Sequence, residues 1–153
     1  MGQSVFPAPS AASKTRYVVT LLSGTSWTVP AGVTQIIATL IGGGGGAPAP
    51  ATTSNSTTPN GAPGACIIST ISTTPGASIT YAIGAGGASS VNGGTTSMTG
   101  ATSAPGGLAG SIGTQPTNTQ SAAAVNNGGM GVWGNSGTGG AGGAGAITIE
   151  YWV

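Results

Sequence analysis

The sequence predicts an all-β protein in which short strands alternate with glycine-rich segments, some of them of polyproline-II type. No segment shows the 3.6-residue apolar period of a helix. Several segments alternate apolar and polar residues, as half-buried strands do. Glycine supplies 31 of the 153 residues, and most of it lies between those segments.

Six segments have strand character. Residues 35–41 (QIIATLI) are apolar on both faces, which favours a central strand. Residues 77–83 place Ile79, Tyr81 and Ile83 on one face. The turn signal TTPG at 73–76 precedes them, so we expect a β-hairpin over residues 65–83. The predicted strands are 16–22, 26–29, 35–41, 65–72, 77–83 and 146–153.

The glycine-rich segment 137–146 has a three-residue period. Its non-glycine residues Thr138, Ala141 and Ala144 recur every third position, and a polyproline-II helix has about three residues per turn. Two edges of such a helix are bare glycine, which allows neighbouring helices to approach and hydrogen-bond. A loose linker is the alternative, but the segment leads directly into the last strand. Ordered packing is therefore the prediction.

The scarcity of charge excludes most kinds of chemistry. Lys14, Arg16 and Glu150 are the charged side chains, and histidine is absent. One carboxylate cannot act as both general acid and general base, and a zinc site needs several Cys or His ligands. A net charge of +1 gives no basic footprint for nucleic acid. We therefore expect no enzyme activity, no metal, no cofactor and no nucleic-acid partner.

Two further features of the sequence concern membrane insertion and disulfide formation. The longest apolar stretch, residues 29–41, is too short to cross a bilayer, so no membrane insertion is expected. Cys66 is the single cysteine, which excludes an intrachain disulfide. It lies in the apolar run 65–68 and is predicted to be a small buried side chain.

The organisation predicted is an N-terminal anchoring arm at residues 1–16 and a domain at residues 17–153. The arm is rich in Pro, Ala and Ser and has no core of its own. A partner subunit or larger assembly is expected to hold it. Its candidate anchoring residues are Val5, Phe6, Pro7, Lys14 and Arg16.

The remaining candidate contact residues centre on tryptophan. Trp133 lies in a loop-like setting with Met130 and Asn135 nearby, where it could stack on a sugar ring or enter a partner pocket. The alternative is a small local core of Trp133 with Met130. Trp27 and Trp152 lie on strands and are expected in the core or in a subunit interface.

Four motifs, in this order, resemble the glycine-rich domain family of bacteriophage tail fibres and adhesins. They are WTVPAGVT at residues 27–34 with the glycine run 42–46, TPG at 74–76 leading to IGAGG at 83–87, NGGTTSM at 92–98, and GGAGGAGAITIEY at 139–151. The resemblance implies a small jelly-roll-like β-sandwich, a homotrimer on the surface of a virion, made in the host cytoplasm. It also implies other virion proteins, of tail or capsid, and a host surface glycan as partners.

Three functions remain open from the sequence. The first is a tail-fibre or tail-tip module for host attachment, held by its arm. The second is a capsid decoration (cement) or head-fibre protein, which differs in where the arm docks. The third is an ice-binding protein, because flat arrays of small residues on glycine-rich extended helices resemble one group of antifreeze proteins.

Overall fold

The computed structural model describes residues 14–48, 60–110 and 139–153. These residues form seven strands and no helix, which confirms the all-β prediction. The strands are β1 (Arg16–Leu21), β2 (Ser26–Thr28), β3 (Gln35–Ile41), β4 (Cys66–Ser72), β5 (Ser78–Ala82), β6 (Ser97–Met98) and β7 (Ala146–Trp152).

The strands form two antiparallel sheets that pack as a β-sandwich. The first sheet has the order β1-β7-β3-β4 and the second has the order β2-β5-β6. Strand β3 pairs with β7 on one side and with β4 on the other. The prediction that residues 35–41 form a central strand is therefore confirmed, and its apolar side chains on both faces suit that position.

The core lies between the sheets and follows from the two-residue alternation of the strands. In β3 and β7, the register pairs Leu40 with Ile147 and Ala38 with Ile149, and all four are fully buried. The second sheet contributes Ile79 and Tyr81 from β5, together with Met98 from β6. The predicted apolar face of residues 77–83 is confirmed at Ile79 and Tyr81.

The predicted hairpin over residues 65–83 is wrong. The turn does form, since the Ala77 amide donates to the Thr74 carbonyl (3.0 Å) and Gly76 has φ +79°. However, β4 pairs with β3, whereas β5 pairs with β2 and β6. Ile71 and Ile79 thus face one core from opposite sheets. A turn sequence specifies the reversal of the chain, but the apolar faces decide which sheet each strand joins.

The environment of Cys66 also differs from the prediction. The thiol is free but only half-buried. Cys66 pairs with Ile41 in the register of β4 with β3, while its neighbour Ile67 packs against the core. The run at 65–68 is apolar at every position, so its pattern does not indicate which side chain faces outward.

An ion pair joins two of the three charged side chains. The Arg16 guanidinium donates to a Glu150 carboxylate oxygen across β1 and β7 at 2.6 Å. Both side chains are accessible, at 55% and 28% exposure, so the pair contributes at most about 1 kcal/mol. Beyond β1, Thr15 and Val153 exchange backbone hydrogen bonds (2.9 and 3.1 Å), which extends the sheet to the end of the chain.

Candidate functional site

A run of glycines that continues β3 is bonded on three sides. Its backbone amides donate in turn to three different neighbouring segments, and the pattern repeats every three residues, as in a polyproline-II helix. The bonds run from Gly42 to Ala65 and Gly45 to Ala62, from Gly43 to Gly94 and Gly46 to Val91, and from Gly44 to Gly143 and Ala47 to Gly140, all between 2.8 and 2.9 Å.

The carbonyls of the same run accept bonds from further segments. Gly107 and Gly110 donate to the carbonyls of Gly43 and Gly46 (2.8 and 3.0 Å), and Gly87 donates to Gly44 (2.8 Å). Five described segments thus pack around residues 42–47, and we call the whole assembly the glycine bundle. The five are residues 60–65, 84–88, 91–94, 104–110 and 139–145.

Ordered packing, predicted for residues 137–146, is therefore confirmed over residues 139–146. Gly139, Gly142 and Gly145 lie three residues apart and face the carbonyls of Ala47, Gly44 and Ile41. Ala141 and Ala144 are exposed. The three-residue period thus sorts bare glycine towards the centre and alanine towards the outside.

Glycine is required in the centre of the bundle for space rather than for backbone freedom. A Cβ atom on Gly43, Gly45 or Gly46 would overlap the carbonyl oxygen of a neighbouring segment, namely that of Ala85, Leu108 or Ala88. No left-handed φ is involved, because the described glycines with positive φ are Gly24, Gly32, Gly76 and Gly100, all outside the bundle. Backbone packs directly on backbone here.

Thr96 joins the sandwich to the bundle. Its side chain is fully buried, and its hydroxyl donates to the Ile41 carbonyl (2.6 Å) and accepts from the Gly84 amide (2.9 Å). Its backbone exchanges two bonds with Ala104. The end of β3, the start of segment 84–88 and the start of segment 104–110 therefore meet at one residue. The sequence does not predict this role; its one signal is that Thr96 lies two residues after the glycine pair 93–94.

Replacement of Thr96 by valine is expected to destabilise the fold by about 3 kcal/mol, because a buried amide and a buried carbonyl lose their shared partner. Thr96→Ser keeps the hydroxyl and loses one methyl group, at a cost of about 1 kcal/mol. Denaturant unfolding of both variants measures the difference. Equal loss for the two would show that the hydroxyl does not hold the junction.

The described ends of three connections lie at one end of the bundle, and we call this end the loop pole. Residue 48 leaves the central run there and residue 60 returns beside it. Residues 110 and 139 lie at the same end, because Gly110 bonds to Gly46 and Gly140 bonds to Ala47. The turn 88–91 closes there as well, with the Ser89 hydroxyl donating to the Ala47 carbonyl at 3.0 Å.

The opposite end of the molecule carries the first described residues and the C-terminus, and we call it the arm pole. Strand β7 runs from the bundle to Trp152, and β1 starts beside its end, since Arg16 pairs with Trp152. The two poles are separated by the length of a strand plus that of the bundle, roughly 40 Å at about 3.3 and 3.1 Å per residue.

Aromatic side chains cluster near the arm pole. Tyr17 stacks on Tyr151 across the strand pair, with ring centroids 5.4 Å apart and an interplanar angle of 12°. Trp27 meets Tyr151 at 5.9 Å from the facing sheet, and it is half-buried against the core. Trp152 lies on the outer face of the first sheet and is 37% exposed, so it is not a core residue.

The other predicted contact residues lie outside the described residues. These are Val5, Phe6 and Pro7 of the arm, and Met130, Trp133 and Asn135 of the segment between residues 110 and 139. The described ends of that segment lie at the loop pole. Lys14 is exposed, and Arg16 belongs to β1.

No group of three or more His, Cys, Asp or Glu side chains is placed to hold a metal ion in residues 14–48, 60–110 and 139–153. Within the same part of the chain, no helix has the length and apolar character needed to span a membrane.

Comparison with known proteins identifies the family. A search of curated proteins found no match to this chain. The family model described as a glycine-rich domain matches residues 20–149, which include all strands from β2 to β6, the end of β1, most of β7 and the whole glycine bundle. The chain belongs to the glycine-rich domain family.

Proposed function

We propose that this chain is a bacteriophage virion structural protein, a homotrimeric surface module of the tail-fibre or tail-tip type. It attaches through its N-terminal arm and presents its loops to the host surface, where a glycan is the proposed partner. The polarity of the fold carries the proposal: the described chain begins at one pole, and the described ends of three connections lie at the other.

The glycine bundle suits this role mechanically. Six segments joined by backbone hydrogen bonds hold the loop pole at a fixed distance from the arm pole. Loops on a rigid scaffold retain a defined arrangement, as binding loops require. Charge is also scarce, with two basic residues and one acidic residue in the chain, so the surface offers few charged side chains for proteases to recognise.

The outer face of the first sheet supports self-association. It carries Val18, Ile68 and Trp152, of which Ile68 is 69% exposed, and its charged residues Arg16 and Glu150 already pair with each other. Val18 pairs with Glu150, two residues from Trp152 on β7, and exposed apolar side chains that lie near each other are typical of protein contact sites. The proposed subunit interface at Trp152 lies on this face.

Deletion of residues 1–13 tests the anchor. The deletion stops before Lys14 because Thr15 bonds to Val153 and Arg16 bonds to Glu150. We expect the shortened chain to keep its melting temperature and to be missing from purified particles. A shortened chain that joins particles at the full-length level would refute attachment through the arm.

Electron microscopy of labelled particles tests the orientation and the site of attachment. A label at residue 153 marks the arm pole, and a thiol label on Val91→Cys, in a Cys66→Ser background, marks the loop pole. We expect the loop-pole label to lie farther from the particle surface than the arm-pole label. The reverse order would contradict the proposal.

A capsid decoration or head-fibre protein is the second candidate, because the same polarity serves an arm that docks on a capsid. The labelled particles separate the two: label at the tail supports the first candidate and label over the head supports the second. The ice-binding alternative predicts thermal hysteresis of the purified protein, and a clear hysteresis would replace both virion candidates.

A further inference from the structure

The aromatic cluster Tyr17, Trp27 and Tyr151 is incompletely covered. Tyr151 is 9% exposed, whereas Tyr17, stacked on it, is 46% exposed. The reason is the unequal width of the two sheets, four strands against three. Strand β1 lies at the edge of the wider sheet and β2, only three residues long, at the edge of the narrower one. The inner side of β1 therefore keeps an open aromatic surface.

The free edge of β2 borders this surface. Strand β2 pairs with β5 alone among the described residues. The Tyr81 amide donates to Thr25, and the Val29 amide donates to Ala77. The backbone N–H and C=O groups of odd-numbered residues therefore point towards β5. Those of Ser26 and Thr28 point away from it. The site combines an apolar floor with a short row of backbone donors and acceptors.

The arm has the apolar side chains and the extended backbone that such a site would bind. Thirteen residues precede Lys14, which lies two residues before Arg16, the first residue of β1 at the arm pole. Within them, Val5 and Phe6 supply apolar side chains, and Pro7 and Pro9 favour an extended backbone. Aromatic surfaces bind proline-containing extended segments in this way. The three residues Ser4, Val5 and Phe6 retain their amide donors and match the length of β2.

We propose that residues 4–9 of one copy dock on the aromatic cluster and the free edge of β2 in a second copy. This inference rests on the proposed homotrimer and names what its arms bind. Each copy gives an arm to one neighbour and receives an arm from another, so that the contact closes into a ring. Such a head-to-tail contact is the kind that generates cyclic assemblies.

Interface area favours a second copy as the occupant. The outer face of the first sheet measures about 440 Å², from strand spacings of about 4.8 Å and a rise of about 3.3 Å per residue. A stable interface takes roughly 800 Å² from each partner. The area of this face alone is therefore smaller than a stable interface needs. An exchanged arm, up to about 40 Å long when extended at about 3.1 Å per residue, adds the missing contact.

Photo-cross-linking between isotopically distinct full-length copies tests the exchange. Light copies carry p-benzoyl-phenylalanine in place of Phe6 and are assembled with a tenfold excess of ¹⁵N-labelled copies of unmodified sequence. After irradiation, mass spectrometry locates the cross-links. We expect them mainly between the light arm and heavy peptides that contain Tyr17 or Trp27. Cross-links confined to light chains would place the arm on its own copy and overturn the proposal.

Paired substitutions in the heavy copies give the control. Tyr17→Ser removes the exposed ring, and Val91→Ser changes a similarly exposed side chain at the loop pole, far from the aromatic cluster. We expect at least a fivefold loss of cross-link yield for the first and less than a twofold change for the second. Equal yields would overturn the proposal.

The proposed arm exchange and the proposed virion role are contradicted by different results. If cross-links form between copies but the chain is missing from virions, the virion role is wrong and the arm exchange stands. If the chain joins virions without cross-links between copies, the arm exchange is wrong and the virion role stands.

Discussion

Gly45→Ala is expected to destabilise the protein by about 3 kcal/mol, the upper end of the range of about 1–3 kcal/mol that overpacking a dense interior typically costs. The added Cβ would overlap the Leu108 carbonyl oxygen. Relief requires the central run to move away from segment 104–110, which also strains the bond from the Gly45 amide to Ala62 (2.9 Å). Thermal unfolding monitored by circular dichroism measures the loss.

Ala141→Val is the matched control for that substitution. It adds two carbons to the same bundle at an exposed position, so we expect a change below about 0.5 kcal/mol. If Gly45→Ala were as mild as Ala141→Val, the close backbone contacts of the bundle would not be present in solution.

Ile149→Asp is expected to abolish folding at neutral pH. Ile149 is fully buried in the centre of the first sheet, paired with Val19 and Ala38. A carboxylate there has no charged partner, and its burial costs several kcal/mol in addition to the lost apolar contacts. The sum approaches the whole stability of a domain, about 5–15 kcal/mol. The far-ultraviolet spectrum and the elution volume report the outcome.

Thr20→Asp is the control for Ile149→Asp, because it places the same charge on an exposed outward position of the neighbouring strand β1. We expect it to fold normally. Two single variants repeat the comparison in the second sheet: Ile79→Asp at a buried position, and Ser78→Asp as its control at an exposed position. A folded Ile149→Asp or Ile79→Asp variant would show that the core is placed wrongly.

Strand positions were predictable from local pattern, whereas strand partners were not. The alternation of apolar and polar residues in β5 and β7 indicates which side chains face the core, because every second residue of a strand points to the same side of the sheet. The run at 65–68 is apolar at every position and has no such alternation, so the sequence does not show that Cys66 is only half-buried. The turn at 73–76 is correct, yet the partner of each flanking strand depends on contacts far away in sequence.

The glycine bundle was only partly predictable for a related reason. Residues 137–146 show a three-residue period because alanine marks the outer edge of that segment. The central run 42–46 is glycine throughout and has no period to detect, since every one of its sides meets another backbone. Thr96 acts through one hydroxyl group at a junction of three segments, and no local pattern specifies such a meeting point.

The two poles follow from topology. The described ends of the connections at 48–60, 88–91 and 110–139 lie together because their flanking segments pack around the same central run. The sequence separates these connections by tens of residues, so their convergence is visible only once the neighbours of residues 42–47 are known. The aromatic cluster is similar, since Tyr17 and Tyr151 lie near opposite ends of the chain.

Hydrogen exchange of the amides of Gly43, Gly44, Gly45 and Gly46, measured by nuclear magnetic resonance, tests most directly whether the glycine-rich segments form a bonded bundle. We predict exchange slowed at least about a hundredfold relative to an unstructured chain, similar to that of the β3 amides, because these amides open only when the bundle opens. The exposed turn residue Gly32 supplies a fast-exchanging internal reference. Exchange of the four central amides as fast as that of Gly32 would contradict the account.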